Sequence, residues 1–181
     1  MEDLTINSEI INDEDVLIKI MEQNLQGVMF HLYQTDYFDF LNLEGFKKMH
    51  HFQSKEESDN LECLKHKYIK EYKKLPILKT KEKNYWEAET SLSGELPKEK
   101  INPAVKKSME KYVDWESNVL EHLISWKRNV KDKAFISKMI DDVMEEIKRV
   151  ETIIDILEDH KYNCECINEM SEYLYKQYKG S

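Results

Sequence analysis

The stretch from Asp36 to Glu57, DYFDFLNLEGFKKMHHFQSKEE, indicates how this chain folds. Its first residues end one amphipathic helix, Asn42–Gly45 forms a short turn, and the remainder begins a second helix that carries the pair Glu56-Glu57. Carboxylates within a helical seam are costly unless something cationic lies among them. The stretch therefore predicts a pair of helices and suggests the hypothesis that a metal ion lies inside a helix bundle.

The composition of the 181-residue chain favours an all-α protein. Only 4 Gly and 3 Pro interrupt it, 35% of its residues are charged, and Leu, Ile, Met, Lys and Glu are frequent. These residue types favour helices. The net charge of −9 disfavours nucleic acid as a partner and suits cations instead.

The sequence also carries signals about location and redox state. No apolar run approaches the roughly 20 residues that span a bilayer, so we expect no membrane segment. The acidic N-terminus lacks the basic and then apolar order of a signal peptide, which predicts a cytoplasmic protein. The three cysteines, Cys63, Cys164 and Cys166, are too few for a disulfide framework and are interpreted as ordinary reduced thiols.

Hydrophobic periodicity predicts five helices. The first begins after an N-cap at Asn12 or Asp13 and runs to about Leu41. The others run from near Gly45 to before Pro76, from Asn102-Pro103 to about Val130, from after Lys133 to beyond Leu157, and from about Asn163 to Tyr178. Residues 1–14 are interpreted as an N-terminal extension, 15–160 as a four-helix bundle and 161–181 as a short helix and tail. The aperiodic segment Lys79–Pro103 is interpreted as a long crossover, which lets the third helix run parallel to the second.

Polar residues fall near the middle of four of these helices. They are Asn24 in the first, Glu57 with Asn60 in the second, Glu116 in the third and Glu146 on the flank of the fourth. Three carboxylates in one buried layer repel each other and lose hydration. The acids can either share protons or bind a cation, and oxygen-rich sites favour iron, manganese or magnesium.

Several motifs resemble those of bacterial non-haem ferritins. Tyr37-Phe38-Asp39, Leu41–Phe46 and Gln53–Glu57 are similar to the region that joins the first two helices of that family. Tyr112, Glu116 and Val119 resemble its third helix, and Glu145-Glu146 with Ile153–Asp155 resembles its fourth. The resemblance covers residues 15–78 and 104–158. It implies a ferritin-like, up-down-down-up four-helix bundle with a long crossover and a short fifth helix.

The resemblance implies iron-binding residues as well. The family's di-iron ligands fall on Glu57, Glu116 and Glu146, and the acids of an outer iron position fall on Glu56, Asp142, Glu145 and Glu146. Four positions of the family's centre are altered: a Glu falls on Asn24, a His on Asn60, a Gln on Val143 and a Tyr on His31. His31 lies two turns, or about 10 Å, after Asn24, so a core histidine is favoured over a substitute ligand.

The resemblance implies iron storage, with Fe2+ and Fe3+ as the metal and a homo-oligomer, up to a hollow 24-subunit cage, as the assembly. Asn is a neutral, weak oxygen donor, so any ferroxidase activity is expected to be weak. Haem is not expected, because Ser58 and Glu146 stand where bacterioferritins have a Met and a metal-binding His. The alternative is a non-catalytic ferritin-like bundle with a structural or partner-binding role.

Overall fold

The computed structural model describes residues 12–79 and 98–180, which form five α-helices. The helices are α1 (Asp13–Phe40), α2 (Glu44–Tyr72), α3 (Lys98–Trp126), α4 (Lys133–Asp159) and α5 (Cys164–Gln177), and a short 3-10 turn, Lys127–Asn129, follows α3. The described residues include no strand. The predicted all-α class with a short fifth helix is therefore confirmed.

Side-chain caps define where three of these helices begin. The Asn12 side chain accepts a hydrogen bond from the Asp15 amide at 2.9 Å. Asp132 caps α4 in the same way, and Asn163 caps α5. Such caps satisfy amide groups that have no partner within the first helical turn. Between α1 and α2, Asn42 takes a φ of 57°, a left-handed conformation that asparagine tolerates better than most residues.

Polar contacts at one end of the bundle establish the direction of each helix. The Tyr68 hydroxyl donates to Glu14 at 2.7 Å, which places the end of α2 beside the start of α1. Lys67 forms an ion pair with Asp132 at 2.6 Å, which places the junction between α3 and α4 at this same end. Helices α2 and α3 therefore run parallel, and the bundle has the predicted up-down-down-up order.

The four long helices share one apolar core. Its fully buried large side chains are Leu17, Ile20, Met21, Phe38, Phe46, Met49, Leu64, Met109, Tyr112, Leu123, Ile136 and Leu157. None of the described helices is long and apolar enough to cross a membrane.

Helix α5 packs against the beginning of α2 at Gly45. The Gly45 amide donates to the Ser171 hydroxyl at 3.0 Å. A Cβ added at Gly45 would lie 1.7 Å from the carbonyl oxygen of Ser171, so only glycine allows the two backbones to approach this closely. This contact holds α5 against the bundle.

The start of the third helix differs from the prediction. Helix α3 begins at Lys98, so Pro103 lies inside the helix rather than at its first position. A proline inside a helix removes one backbone hydrogen bond. Here the residues beside Pro103, Ile101 and Ala104, pack against the core and stabilise the helix despite this loss. Residues 98–103 are thus helical and do not belong to the crossover. Residues 80–97 of the predicted crossover and residues 1–11 of the predicted extension lie outside the described residues.

Candidate metal centre

Three side chains from three helices converge in the middle of the bundle. His31 comes from α1, Glu57 from α2 and Glu116 from α3, and one ligand atom of each lies within 4.8 Å of the other two. The Nε2 atom of His31 is 3.6 Å from Oε1 of Glu116. His31 and Glu116 are buried, whereas Glu57 is partly exposed. The group is compact enough to hold one metal ion.

Gly27 makes room for Glu57 in this group. A Cβ at Gly27 would lie 2.9 Å from both Cδ and Oε1 of Glu57, closer than real side chains approach each other. Gly27 is buried in α1, whereas its neighbour Val28 is only partly buried. The missing side chain at residue 27 therefore lets the Glu57 carboxylate lie against α1.

The position of Glu57 explains why His31 joins the group. Glu57 lies against Gly27, which is about one helical turn before His31. The expected ligand position, Asn24, is about two turns before His31, and this larger separation made His31 look too distant to be a ligand. The sequence favours a core histidine, and His31 is indeed buried, but its Nε2 atom lies beside the Glu116 carboxylate. Its other ring nitrogen, Nδ1, is 3.0 Å from Nδ1 of His50.

His50 of α2 is a buried neighbour of His31 that the motifs in the sequence did not single out. Its side chain is fully buried, and its Nε2 atom has no hydrogen-bond partner. Burial holds the pKa of His50 well below its usual value, and the proximity of His31 lowers it further. His50 is therefore a neutral imidazole, and its side-chain hydrogen bond is with His31.

Glu146 is buried, but it lies outside the compact group. The sequence placed it on the flank of the fourth helix, whereas the structure leaves only 8% of it exposed. Its Oε1 atom accepts a hydrogen bond from the Tyr112 hydroxyl, and its Oε2 atom is 2.9 Å from Nη1 of Arg149. Arg149 was missed by the sequence analysis, although its i,i+3 spacing from Glu146 within a helix is a recognisable ion-pair signal.

The centre carries more negative charge than its surroundings neutralise. Burial raises the pKa of Glu57 well above its usual value, and the charges of Glu116, Glu56 and Glu146 raise it further. Burial also raises the pKa of Glu146, against the opposing effects of the Tyr112 hydrogen bond and the Arg149 charge. A divalent cation would relieve this repulsion, and a bound proton would relieve part of it.

An open cleft of about 450 Å³ adjoins the centre between α2, α3 and α4. The lining of the cleft includes the predicted outer acids Glu56, Asp142 and Glu145, all of them exposed. Burial raises the pKa of Glu56, and the nearby charge of Arg149 opposes that rise. Within residues 12–79 and 98–180, the outer acids belong to no compact group of three potential ligands.

Asn24, Asn60 and Val143, three of the positions that the family resemblance marks as altered, carry no charge. Asn60 is exposed and lines the cleft together with Val143. Asn24 is buried in α1, where its Nδ2 donates to the Ile20 carbonyl at 2.9 Å. The Oδ1 atom of Asn24 has no hydrogen-bond partner. None of these three residues adds a charged ligand.

Comparison with known proteins supports the architecture. No protein-family model matches the sequence, and no curated protein matches it. A solved structure of Archaeoglobus fulgidus ferritin, engineered into a closed form by site-directed mutagenesis, is similar with a TM-score of 0.59 and 13% sequence identity. The match covers 94% of this chain and 96% of that chain. The fold is ferritin-like. At this level of identity, a ferritin-like fold does not by itself assign an activity.

The residues present in this ferritin-like bundle suit a divalent transition metal. One imidazole nitrogen and two carboxylates form a mixed donor set that Fe2+, Mn2+ and Zn2+ accept. The raised pKa of Glu57 indicates that its carboxylate needs a cation to become ionised at low cost. His31, Glu57 and Glu116 would hold the ion, and Gly27 leaves the space for Glu57 to reach it.

Proposed function

We propose that this protein is a ferritin-like iron-binding protein that takes up Fe2+ at His31, Glu57 and Glu116. The compact arrangement of these three potential ligands is the observation that supports the proposal most directly. The acidic cleft beside the centre supports it further, because Glu56, Asp142 and Glu145 attract cations towards its entrance. Iron is in this view the cargo of the protein, as it is in iron storage.

The proposal includes weak or absent ferroxidase activity. Reducing dioxygen to peroxide takes two electrons, whereas one Fe2+ ion gives one when it becomes Fe3+. A second ion beside the first would need ligands at Asn24, Asn60 and Val143, which are neutral or apolar. Glu146, the remaining acid of the predicted centre, already contacts Tyr112 and Arg149. Rapid oxidation that consumes two iron ions together is therefore not expected.

We include a cytoplasmic homo-oligomer in the proposal. The sequence resemblance implies that iron is stored inside a hollow 24-subunit cage. Leu75 and Ile77, which follow α2, are 76% and 81% exposed. An interface with a second copy of the chain would remove such apolar surface from water.

The decisive experiment measures assembly and metal binding on the same material. Size-exclusion chromatography with light scattering gives the oligomer size, and the same peak is then titrated with Fe2+ under anaerobic conditions. We expect saturable binding in the micromolar range or tighter, and a loss of at least tenfold in affinity for Glu57→Gln and for His31→Leu.

Glu121→Gln is the matched control for removal of an acid, because Glu121 is an exposed glutamate on the same helix as Glu116. This variant should bind iron like the unaltered protein. A folded protein that binds no Fe2+ at micromolar concentration would overturn the proposal. That result would support the alternative, a ferritin-like bundle with a structural or partner-binding role.

A further inference from the structure

Both carboxylate oxygens of Glu146 are already occupied. Oε1 accepts the hydroxyl hydrogen of Tyr112, which is fully buried, and Oε2 lies 2.9 Å from Nη1 of Arg149. The Glu146 side chain is 11% exposed and the Arg149 side chain 39%, so the carboxylate is largely shielded from water while the guanidinium is partly open to the cleft. An ion pair in such surroundings is worth more than one on the open surface.

Arg149 is held in place by a second contact. Its Nη1 atom also donates to the hydroxyl of Tyr178 at 3.2 Å. The Tyr178 ring lies against Phe52 of α2, with 5.3 Å between the ring centroids. Since Tyr178 is the residue that ends α5, the fifth helix helps to position the guanidinium beside the centre.

The charges of the centre then sum to a definite value. The three acids of the layer, Glu57, Glu116 and Glu146, carry three negative charges when they are ionised, and Arg149 carries one positive charge. A neutral His31 adds none, so two negative charges remain. One divalent ion neutralises them, whereas a second divalent ion would leave the buried centre positively charged and without free carboxylates.

We infer that Arg149 is a built-in counter-cation that limits this centre to a single divalent metal ion. The inference rests on the proposed metal binding at His31, Glu57 and Glu116, and it assigns to Arg149 the control of how many ions are bound. The guanidinium takes the place of a second ion: it neutralises Glu146, and it lines the same cleft as Glu56. Arg149 acts through Glu146 and is a specificity-determining residue rather than a ligand.

The first test counts metal ions. Calorimetric titration with Mn2+ or Co2+ should give one ion per chain for the unaltered protein and two for Arg149→Gln, because Glu146 is then free to join the cleft acids as a ligand. The double variant Arg149→Gln/Glu146→Gln should bind one ion again. Arg128→Gln is the matched control, because Arg128 is an exposed arginine in the short turn that follows α3 and does not line the cleft.

The second test needs no metal. In EDTA, Arg149→Gln should lower the unfolding temperature more than Arg128→Gln does, because it leaves the buried Glu146 carboxylate without its cation. Adding Glu146→Gln should restore much of that loss. This comparison detects the Arg149–Glu146 pairing even when no ion binds.

The two tests separate the inference from the function on which it rests. If the unaltered protein binds no ion, the proposed function fails, and the metal-free comparison still shows whether Arg149 neutralises Glu146. The inference is overturned if Arg149→Gln binds no more ions than the unaltered protein. It is equally overturned if Arg149→Gln unfolds at the same temperature as Arg128→Gln.

Discussion

The Nδ1 atoms of His31 and His50 lie 3.0 Å apart in the core of the bundle, and both rings are buried. Two nitrogens this close form a hydrogen bond only if one of them carries the proton. When Nε2 of His31 binds a metal, the proton of the neutral ring must be on Nδ1, from which it is donated to His50. His50 therefore supports the tautomer and the ring orientation that metal binding at His31 requires.

Replacing His50 should weaken metal binding. We expect His50→Leu to reduce the affinity for Co2+ by about 10-fold to 100-fold, the usual effect of removing a partner that orients a ligating histidine. Competition with a coloured chelator measures this change. The exposed neighbour provides the control, since His51→Leu should bind like the unaltered protein.

A nitrogen-15 NMR spectrum of the histidines, recorded with Zn2+ bound, reports which ring nitrogen of His31 carries the proton. Replacing His50 would change this protonation only if His50 positions His31, and not if His50 merely packs in the core. The spectrum should show Nδ1 of His31 protonated in the unaltered protein. A His50→Leu protein that keeps both this signal and its affinity would contradict the positioning role.

A side chain at Gly27 should separate metal binding from stability. In Gly27→Ala, the new methyl group would meet the end of Glu57 at 2.9 Å, and that flexible carboxyl group would have to move. We expect a loss of metal affinity of tenfold or more, together with a gain in metal-free stability of about 0.5–1 kcal/mol from the better helix former.

Gly180→Ala is the control for this substitution, because its added Cβ would meet nothing within 4 Å. Chelator competition and urea unfolding in EDTA measure the two effects. Unchanged affinity in Gly27→Ala would show that Glu57 does not need this space to bind the ion.

The raised pKa of Glu57 predicts how metal-free stability depends on pH. A carboxyl group with a higher pKa in the folded state than in the unfolded state holds its proton more tightly when folded. The protonated Glu57 side chain contributes its full stabilisation when the pH is below the ordinary pKa of 4.5. This stabilisation is lost as the pH rises through the higher pKa of the folded state. In EDTA, the free energy of unfolding should therefore fall across that window.

Glu57→Gln should flatten this dependence, because the amide does not ionise. At neutral pH the metal-free variant should be more stable than the unaltered protein by about 1–3 kcal/mol, the usual penalty for an uncompensated buried group. Urea unfolding at a series of pH values measures both effects, with the exposed Glu62→Gln as control. A variant less stable than the unaltered protein at pH 7 would show that burial of the Glu57 carboxylate does not destabilise the metal-free fold.

The contact between Gly45 and Ser171 should be intolerant of any side chain. Gly45→Ala would place a methyl group 1.7 Å from a backbone oxygen, so α5 must move away or the start of α2 must distort. We expect a loss of about 1–3 kcal/mol in stability, as is typical of overpacking. Hydrogen exchange should rise mainly in α5. Protection in α5 equal to that of the unaltered protein would contradict this account.

The fold was predicted well because its signals are local. The helical periods, the start of α1 after Asn12 and the turn at Asn42–Gly45 each depend on neighbouring residues. Pro103 was interpreted wrongly because proline is a strong local signal for a helix start. Packing of the residues beside it, which a local pattern does not reveal, outweighs the one lost hydrogen bond.

The sequence by itself determined that acids on the inner seams of α2 and α3 would face one another, since the 3.6-residue period assigns Glu57 and Glu116 to the inside. Only the tertiary structure decided which residues join them. His31 joins them because Gly27 leaves room for the Glu57 carboxylate to lie against α1. Glu146 stays outside the group because its two oxygens contact Arg149 and Tyr112. The Arg149 contact is local to α4, but Tyr112 of α3 reaches the same carboxylate only in the packed bundle. The positions of His31 and Tyr112 relative to the acids depend on distances between helices, and these are set by how side chains pack across the bundle.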